Sequence, residues 1–300
     1  MTSGELRKQS DVERLFGRTG ALIGMIHLRP LPGAPRFRSE EGMGAVIATA
    51  LQEATLLEST GFDGLIVENA WDIPFVPPDM VGFETVAAMA VVVDVLRQHV
   101  ALPIGINCLA NAVEASLAVA QAASAQFVRA NQWVNAYIAN EGLVEGRAGT
   151  LARYRRGIGA DGVTVWADVQ VKLGSHSITG DRSVSEQARD AEFFDADALI
   201  VTGSRLAAPP RLDDLIEVRE STSLPLVVGS GVAAGNIAEL LAFADAVIVG
   251  SALKEGGVWS GSMSASAVKC VAEARDVGRK AGWSLPREQE RNPSLKLSEQ

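Results

Sequence analysis

Short β-branched runs alternate with Ala- and Leu-rich amphipathic runs through most of the chain, from residue 21 to about residue 282. This alternation predicts a parallel sheet with crossover helices. The predicted strands span residues 21–28, 64–68, 103–108, 126–130, 163–171, 198–202, 226–229 and 246–250. The predicted helices span residues 42–60, 83–99, 111–123, 148–157, 183–194, 212–220, 234–243 and 263–282.

The number of strand–helix units distinguishes two α/β architectures. Eight units over roughly 250 residues match a closed (β/α)8 barrel, the TIM barrel. An open doubly wound sheet also alternates, but it more often has fewer strands and a glycine-rich turn after its first strand. We therefore expect a TIM barrel over residues 21–282. An N-terminal helical extension in residues 1–20, with a helix near residues 4–16, is expected to cap its bottom. A flexible, disordered polar tail is expected in residues 283–300.

Glycine and small hydroxyl residues end the last two predicted strands. Glycine lets the backbone approach a ligand closely, and N–H groups at a helix start attract anions. Adjacent turns of this kind resemble the phosphate cup that many barrels build after strands seven and eight, although tight turns without a ligand are the alternative. The candidate phosphate-binding residues are Gly203, Ser204, Gly229, Ser230, Gly231, Gly250, Ser251 and Lys254.

Polar side chains follow the other predicted strands at their carboxyl ends, where barrel enzymes place functional groups. Asp168, Gln170 and Lys172 share parity, so they are expected on one face of the fifth strand. A structural Asp168–Lys172 ion pair is the alternative to an active site, since ion-pair networks also perturb such groups. The candidate catalytic residues are His27, Glu68, Asn107, Asp168 and Lys172, and the further pocket residues are Asn69, Arg129, Asn131, Glu145 and Thr202.

Composition and charge narrow the class of partner. The 300 residues are 47% hydrophobic and 21% charged, as in a soluble globular protein, and carry a net charge of −9. This charge argues against nucleic-acid binding and against attraction to an anionic membrane. Cys108 and Cys270 lie far apart in apolar contexts and are expected to be reduced. The N-terminus shows no signal peptide and no run is long enough to span a bilayer, so the cytoplasm is the expected location.

Several cofactor chemistries have no sequence signal. The three histidines lack metal-ligand spacing, so no zinc site is predicted. Glu68, Asp168 and a substrate phosphate are conceivable ligands for Mg²⁺, although nothing specific requires the ion. The glycine fingerprint of a nicotinamide site and the Gly-x-Ser-x-Gly elbow of a serine hydrolase are both absent. No cofactor is therefore firmly indicated.

Seven segments together resemble the BtpA family, which includes SgcQ-like proteins, over about residues 21–282. They are residues 25–33 (MIHLRPLPG), 67–75 (VENAWDIPF), 145–147 (EGR), 153–156 (RYRR), 167–172 (ADVQVK), 198–203 (ALIVTG) and 228–232 (VGSGV). The resemblance implies a barrel of the ribulose-phosphate-binding type. The chain departs from the family pattern at Leu173, where a histidine is frequent. It departs again at residues 258–262 (VWSGS), where the family tends to have Trp-Asn-Pro-Val-Asp.

Two functions remain open at this point. The first is an enzyme for a phosphorylated sugar or nucleoside-type metabolite, acting as a glycosidic hydrolase, lyase or isomerase. In that enzyme Glu68 and Asp168 would be the acid/base pair and Lys172 an electrophile or base. The second is a non-catalytic assembly or stability factor of the photosystem I type, as the family name implies. The loop at residues 71–83 would then be a partner surface, although a lid or a dimer contact fits it equally, and a homo-oligomer is expected.

Overall fold

The computed structural model describes residues 10–282, in which eight parallel strands close into a barrel. A two-stranded antiparallel hairpin is inserted after the fourth barrel strand. The barrel strands are β1 (Ala21–His27), β2 (Gly64–Glu68), β3 (Ile104–Asn107), β4 (Phe127–Ala130), β7 (Thr164–Val169), β8 (Ala198–Val201), β9 (Leu226–Val228) and β10 (Ala246–Val249), and the hairpin strands are β5 (Ala136–Ala139) and β6 (Gly142–Glu145). Each barrel strand pairs with its neighbours in chain order, and β1 closes on β10.

Helices follow the strands and cover the barrel from outside. They are α1 (Asp11–Phe16), α2 (Gly42–Ser59), α3 (Phe83–His99), α4 (Val113–Ala122), α5 (Ala148–Gly157), α6 (Val184–Phe193), α7 (Leu212–Ser221), α8 (Ile237–Leu241) and α9 (Ala265–Lys280). The TIM barrel expected from the alternation of apolar runs is confirmed. None of the helices described here is long and apolar enough to cross a bilayer.

Two apolar layers stabilise the barrel, because successive side chains of a strand point to opposite faces. Leu22 and Ile26 of β1 pack outward against the helices, whereas Ile23 and Met25 point into the barrel. The interior layer also contains Ile66, Phe127, Trp166, Ala198, Ile200, Val227, Ala246 and Ile248. These side chains fill the lower part of the barrel, where Thr164 accepts a hydrogen bond from Trp166 Nε1, and the charged side chains reach the interior at its upper end.

The first helix closes the lower end of the barrel. Ser10 and Glu13 form a reciprocal capping box that starts α1 at Asp11. The Phe16 ring packs edge-on to Phe127 and Trp166, with ring centroids 6.2 and 6.0 Å apart. Residues 4–9 of the predicted helix and the predicted tail at 283–300 lie outside the described residues.

Three local departures from the predicted elements reshape the upper end. β7 ends at Val169 rather than at residue 171, because Gln170 adopts a left-handed backbone with φ 52°. α8 begins at Ile237 rather than at residue 234. Two 3-10 turns, Ser251–Leu253 and Glu255–Gly257, separate β10 from α9.

The hairpin β5–β6 replaces the long loop that the sequence predicts after β4. A bridge between Ile138 and Ser175 ties this hairpin to the loop after β7. The backbone N–H of Ile138 donates to the Ser175 carbonyl at 3.0 Å, and that of Ser175 donates back at 2.7 Å. The hairpin therefore stands as a wall beside the barrel mouth.

Candidate active site

A cavity of about 510 Å³ opens at the carboxyl ends of the barrel strands. Its polar floor is formed by His27, Glu68, Asn107, Arg129, Asn131 and Lys172. Its apolar wall includes Ile73, Phe75, Leu109, Tyr137, Val171, Leu206 and Trp259. Its glycine-rich side is formed by Gly229, Ser230, Gly231, Val232, Gly250, Ser251 and Ala252. A cavity of this size, largely apolar with a few convergent polar groups, is typical of a small-molecule site.

Glu68, at the end of β2, lies at the centre of the floor. Asn107 Nδ2 donates to Glu68 Oε2 at 2.6 Å, and His27 Nε2 lies 3.7 Å from Glu68 Oε1. His27 Nδ1 faces the Trp259 carbonyl at 3.3 Å, so Nδ1 carries the proton of the neutral ring. Burial lowers the pKa of His27, which favours that neutral ring. The lone pair of Nε2 and the Glu68 oxygen therefore lie side by side, an arrangement that suits a ligand group with a hydrogen to donate.

Lys172 reaches the same floor from the loop after β7. Its backbone N–H donates to Thr202 Oγ1 at 3.0 Å, which holds the loop against β8. Burial lowers the pKa of its ammonium to about 8; the positive charge of Arg129 acts in the same direction, and Glu68 and Asp168 oppose it. A lysine in this range supplies a neutral amine near neutral pH, which a general base or nucleophile requires.

Asp168 is withdrawn from the cavity by Arg129. Arg129 Nε lies 3.0 Å from Asp168 Oδ1, its Nη2 lies 2.9 Å from Oδ2, and Asn131 Nδ2 donates to Oδ2 at 3.2 Å. The shared parity of residues 168, 170 and 172 therefore does not give one catalytic face: β7 stops at Val169 and Gln170 is exposed. The structural partner of Asp168 is Arg129, whereas the sequence suggested Lys172.

The Arg129–Asp168 pair also decides whether Glu68 and Asp168 can bind Mg²⁺ together. An ion held by Glu68 and Asp168 needs both carboxylates, and the Asp168 carboxylate is occupied by Arg129 and Asn131. The two carboxylates thus do not fit as a shared Mg²⁺ site. Among residues 10–282, no group of three or more His, Cys, Asp or Glu side chains is placed to hold a metal ion.

Two residues that line the cavity, Asn107 and Asn131, each have a buried amide oxygen without a partner among the described residues. Within the described chain, Asn107 Oδ1 and Asn131 Oδ1 accept no hydrogen bond. Their orientation is fixed, because each amide must turn its Nδ2 towards a carboxylate, that of Glu68 for Asn107 and that of Asp168 for Asn131. An unsatisfied buried acceptor costs about 1–3 kcal/mol. The floor therefore offers two acceptors to a ligand that carries hydrogen-bond donors.

Two of the predicted phosphate-binding glycines have a packing role. A Cβ on Gly203 would lie 2.2 Å from the Ala208 oxygen, and a Cβ on Gly231 would lie 2.0 Å from Pro209 N. Ser230 Oγ accepts from the Gly203 N–H at 2.7 Å and donates to the Ala208 carbonyl at 2.9 Å. Gly203 and the Ser230 hydroxyl group thus hold the loop after β8.

The glycine-rich side retains backbone donors near Gly231. Within residues 10–282, the N–H groups of Gly231 and Val232 donate no hydrogen bond, whereas that of Ala233 donates to Asn236 Oδ1. Gly250 and Ser251 line the same cavity. Free amides and small residues suit an anion. The helix predicted from residue 234 begins instead at Ile237, so these amides do not belong to a helix start.

Other predicted site residues lie away from the cavity or serve the backbone. Lys254 is buried in an ion pair with Glu53. Glu145 is exposed in β6, and Ser204 is exposed with its carbonyl accepting from the Leu173 N–H. Asn69 holds the loops that contain Leu109 and Asp72. Thr202 serves the backbone of Lys172.

Sequence reasoning missed the hairpin wall and the aromatic rim. Tyr137 of β5 and Glu141 of the hairpin turn line the cavity, and Trp259 covers His27. The signal for the hairpin was available: residues 136–139 and 142–145 are short runs separated by Asn140 and Glu141 ahead of Gly142, which has φ 103°.

Comparisons with known proteins agree with this architecture. The sequence profile of the BtpA family matches residues 18–276. The photosystem I biogenesis protein BtpA of Synechocystis is 37% identical over 276 residues, which cover 90% of this chain and 93% of that protein. A mitochondrial protein of Caenorhabditis elegans is 36% identical over 263 residues, covering 86% of this chain and 94% of that protein.

One solved structure illustrates the fold. The (S)-3-O-geranylgeranylglyceryl phosphate synthase of Thermoplasma acidophilum, in complex with its substrate sn-glycerol-1-phosphate, superposes with a TM-score of 0.56. The two chains are 14% identical, and the match covers 88% of this chain and 96% of the synthase. This likeness shows the barrel fold.

Proposed function

The chain belongs to the BtpA family, and we propose that it is an enzyme that acts on a phosphorylated, hydroxyl-rich metabolite at the mouth of its barrel. The observation that carries this proposal is the pair of unpartnered amide oxygens, Asn107 Oδ1 and Asn131 Oδ1, on the floor of the cavity. Together with Glu68 and the Nε2 of His27 they form a set of acceptors. The hydroxyl groups of a sugar are donors that satisfy such a set.

The phosphate of this substrate is assigned to the glycine-rich side. The free amides of Gly231 and Val232 face the same cavity as Gly250 and Ser251. Backbone amides bind phosphate in many barrels at this place, after the last two strands.

Lys172 and Glu68 are the proposed catalytic groups. A glycosidic hydrolase needs two carboxylates at the bond that breaks, and the pairing of Asp168 with Arg129 leaves Glu68 without such a partner. The remaining amine and carboxylate favour proton transfer at a carbon next to a carbonyl group, a step that phosphosugar isomerases and lyases share. Lys172 then acts as base or electrophile, and Glu68 moves the proton to or from the substrate oxygen.

The test uses D-ribulose 5-phosphate and unphosphorylated D-ribulose as matched probes. Thermal-shift measurements should show stabilisation by the phosphorylated sugar alone. Proton NMR in D₂O should then show exchange of hydrogen next to the carbonyl, and Lys172→Met should remove this exchange. The exposed Lys269→Met is the control. Equal stabilisation by both sugars, or by neither sugar when a wider set of phosphorylated metabolites also fails, overturns the proposal.

A partner-binding function is the second candidate, because one exposed patch favours it. The loop after β2 presents Val76, Met80 and Phe83 to solvent, with Phe83 92% exposed and Met80 68% exposed. The name of the Synechocystis relative assigns that protein to photosystem I biogenesis. Complementation of a strain that lacks the relative separates the two functions. Rescue by Lys172→Met but not by Phe83→Ser supports partner binding, and the reverse result supports the enzyme.

Two further expectations stay predictions. The homo-oligomer is tested by sedimentation of wild type and Phe83→Ser, because the same patch would form the contact. The cytoplasmic location also stays a prediction, and the C. elegans relative is a mitochondrial protein.

A further inference from the structure

A second cavity of about 650 Å³ lies beside the first. It is open to solvent and is lined by the loops after β1, β2 and β10 and by one face of α2, with Arg29, Arg36 and Arg38 exposed at its edge. His27 lines both cavities. Trp259 lines the first and Trp71 the second, and their rings are in contact, with centroids 4.8 Å apart and planes tilted by 47°. A ligand in the second cavity is therefore a separate molecule, or a separate group, from one on the Glu68 floor.

The second cavity is basic in an acidic protein. Its lining contains four basic side chains, Arg29, Arg36, Arg38 and Lys254, against two acidic ones, Glu41 and Glu53. This gives a local excess of two positive charges in a chain whose net charge is −9. The basic character is therefore a property of this cavity and is opposite to that of the protein as a whole.

The guanidinium groups have more donors than the protein satisfies. Arg29 and Arg38 share one carboxylate, that of Glu41, at 3.2 and 2.9 Å. Arg36 takes part in no hydrogen bond or ion pair with any of residues 10–282. Each guanidinium carries five N–H donors in a plane that matches a phosphate or carboxylate. The arginines thus leave a set of donors free to meet an anion.

Glu53, which also lines this cavity, has a buried carboxylate oxygen without a hydrogen-bond donor in the described chain. Lys254 and Glu53 are 4% and 8% exposed, and the Lys254 ammonium pairs with Glu53 Oε1. Glu53 Oε2 is buried and has no hydrogen-bond partner within the described residues. Burial raises the pKa of Glu53, and Lys254 opposes that rise. An unpartnered buried oxygen is costly, and a ligand hydroxyl at this point would satisfy it.

We infer that the second cavity binds a small phosphorylated alcohol. Its phosphate lies among Arg29, Arg36 and Arg38, where bidentate guanidinium contacts are strongest, and its hydroxyl group donates to Glu53 Oε2. The site requires both ends of the ligand. Phosphate without a hydroxyl leaves Glu53 unsatisfied, and an alcohol without phosphate leaves the arginines unsatisfied.

Calorimetric titration with glycerol 3-phosphate, propyl phosphate and glycerol tests the two-ended requirement. Glycerol 3-phosphate should bind at least 10-fold more tightly than propyl phosphate, and glycerol should not bind measurably. The double variant Arg36→Gln/Arg38→Gln should weaken glycerol 3-phosphate at least 10-fold. The exposed pair Arg205→Gln/Arg211→Gln should leave binding unchanged. Equal binding by the arginine variant and wild type overturns the inference.

Failure of the second site can be distinguished from failure of the function proposed for the first cavity. Lys172→Met alters only the first cavity, so a loss of binding confined to Lys172→Met overturns the second site and leaves the first intact. A loss confined to Arg36→Gln/Arg38→Gln supports the second site whatever the first cavity binds. Glu53→Leu/Lys254→Met removes the buried pair and its acceptor oxygens together, and it should abolish the preference for glycerol 3-phosphate over propyl phosphate. Retention of that preference by the folded double variant counts against the role given to Glu53.

Discussion

The guanidinium of Arg129 holds the carboxylate of Asp168 with two N–H groups, at 3.0 and 2.9 Å, inside the barrel. Both side chains are almost fully withdrawn from solvent, at 3% and 0% exposure. A buried pair of this kind leaves a charge uncompensated when one partner is removed. We therefore expect Asp168 to act chiefly by holding Arg129 in the floor of the cavity.

We expect Asp168→Asn to destabilise the fold strongly. The free energy of unfolding should fall by about 3–5 kcal/mol, because the Arg129 charge stays buried without its partner. Urea denaturation measures this change. Asp161→Asn is the matched control, since Asp161 pairs with Arg156 on the surface and should have little effect. A stable Asp168→Asn variant with greatly reduced turnover per folded molecule would instead restore Asp168 as an acid or base.

Lys172→Met should stabilise the protein while it removes activity. A lysine held at a pKa of about 8 rather than 10.5 costs about 3 kcal/mol of stability at pH 7. Between pH 8 and 10.5 the unfolded chain binds more protons at this lysine than the folded chain does. Wild-type stability therefore rises with pH across this window relative to the variant.

The difference between wild type and Lys172→Met should thus be largest below pH 8 and disappear near pH 10.5. Guanidinium unfolding at pH 7 and pH 10 measures it. The exposed Lys269→Met should show no such dependence on pH. A constant difference at both pH values would mean that Lys172 is not held at a lowered pKa.

Glu68→Gln should leave the fold intact and reduce turnover. The side-chain oxygen of glutamine still accepts from Asn107 Nδ2, so the floor keeps its shape. Loss of a proton-transfer group should lower turnover by a factor of ~100 or more. Exchange of substrate hydrogen in D₂O and the thermal midpoint are measured together, with the exposed Glu273→Gln as control. Full turnover in Glu68→Gln removes Glu68 from the mechanism.

Gly250→Ala should weaken phosphate binding selectively. Its Cβ would meet His27 and Met25 at 3.4–3.5 Å, which is an ordinary contact, so the barrel should fold. The methyl group narrows the approach to the glycine-rich side, and affinity for D-ribulose 5-phosphate should fall at least 10-fold by calorimetry. Gly235→Ala is the control, because a Cβ there meets nothing within 4 Å. Unchanged affinity in Gly250→Ala would move the phosphate elsewhere. Gly231→Val does not serve as a test of phosphate binding, because the added side chain would collide with Pro209.

The barrel follows from the sequence because the barrel strands are short, mostly apolar runs, and all but β4 and β7 are bounded on at least one side by glycine, proline or aspartate. β2, α3 and α5 have the bounds predicted for them. Apolar strands alternating with amphipathic helices leave few other ways to bury both faces of a parallel sheet. The candidate floor followed as well, since Glu68, Asn107 and Lys172 stand at or just after strand ends.

Partner choice within the site did not follow from the sequence. The alternation of side chains along β7 indicated the face on which Asp168 lies. It did not indicate that Asp168 pairs with Arg129, which is 39 residues away on the neighbouring strand β4. The role of each glycine was equally ambiguous. A glycine that leaves room for a ligand looks the same in the sequence as Gly203 or Gly231, which leave room for the backbone at Ala208 and Pro209. Such distinctions depend on contacts between loops that are distant in sequence.

The position of α1 determines by which end of the barrel a ligand enters and leaves. Within residues 10–282, Phe16 packs against Phe127 and Trp166 and closes the lower end of the barrel, so the Glu68 floor is reached from the carboxyl ends of the strands. Anything made on the Glu68 floor must depart through the opening by which its precursor arrived. The product should therefore compete directly with the substrate, and accumulated product should slow turnover by occupying the entrance rather than by acting at a distance.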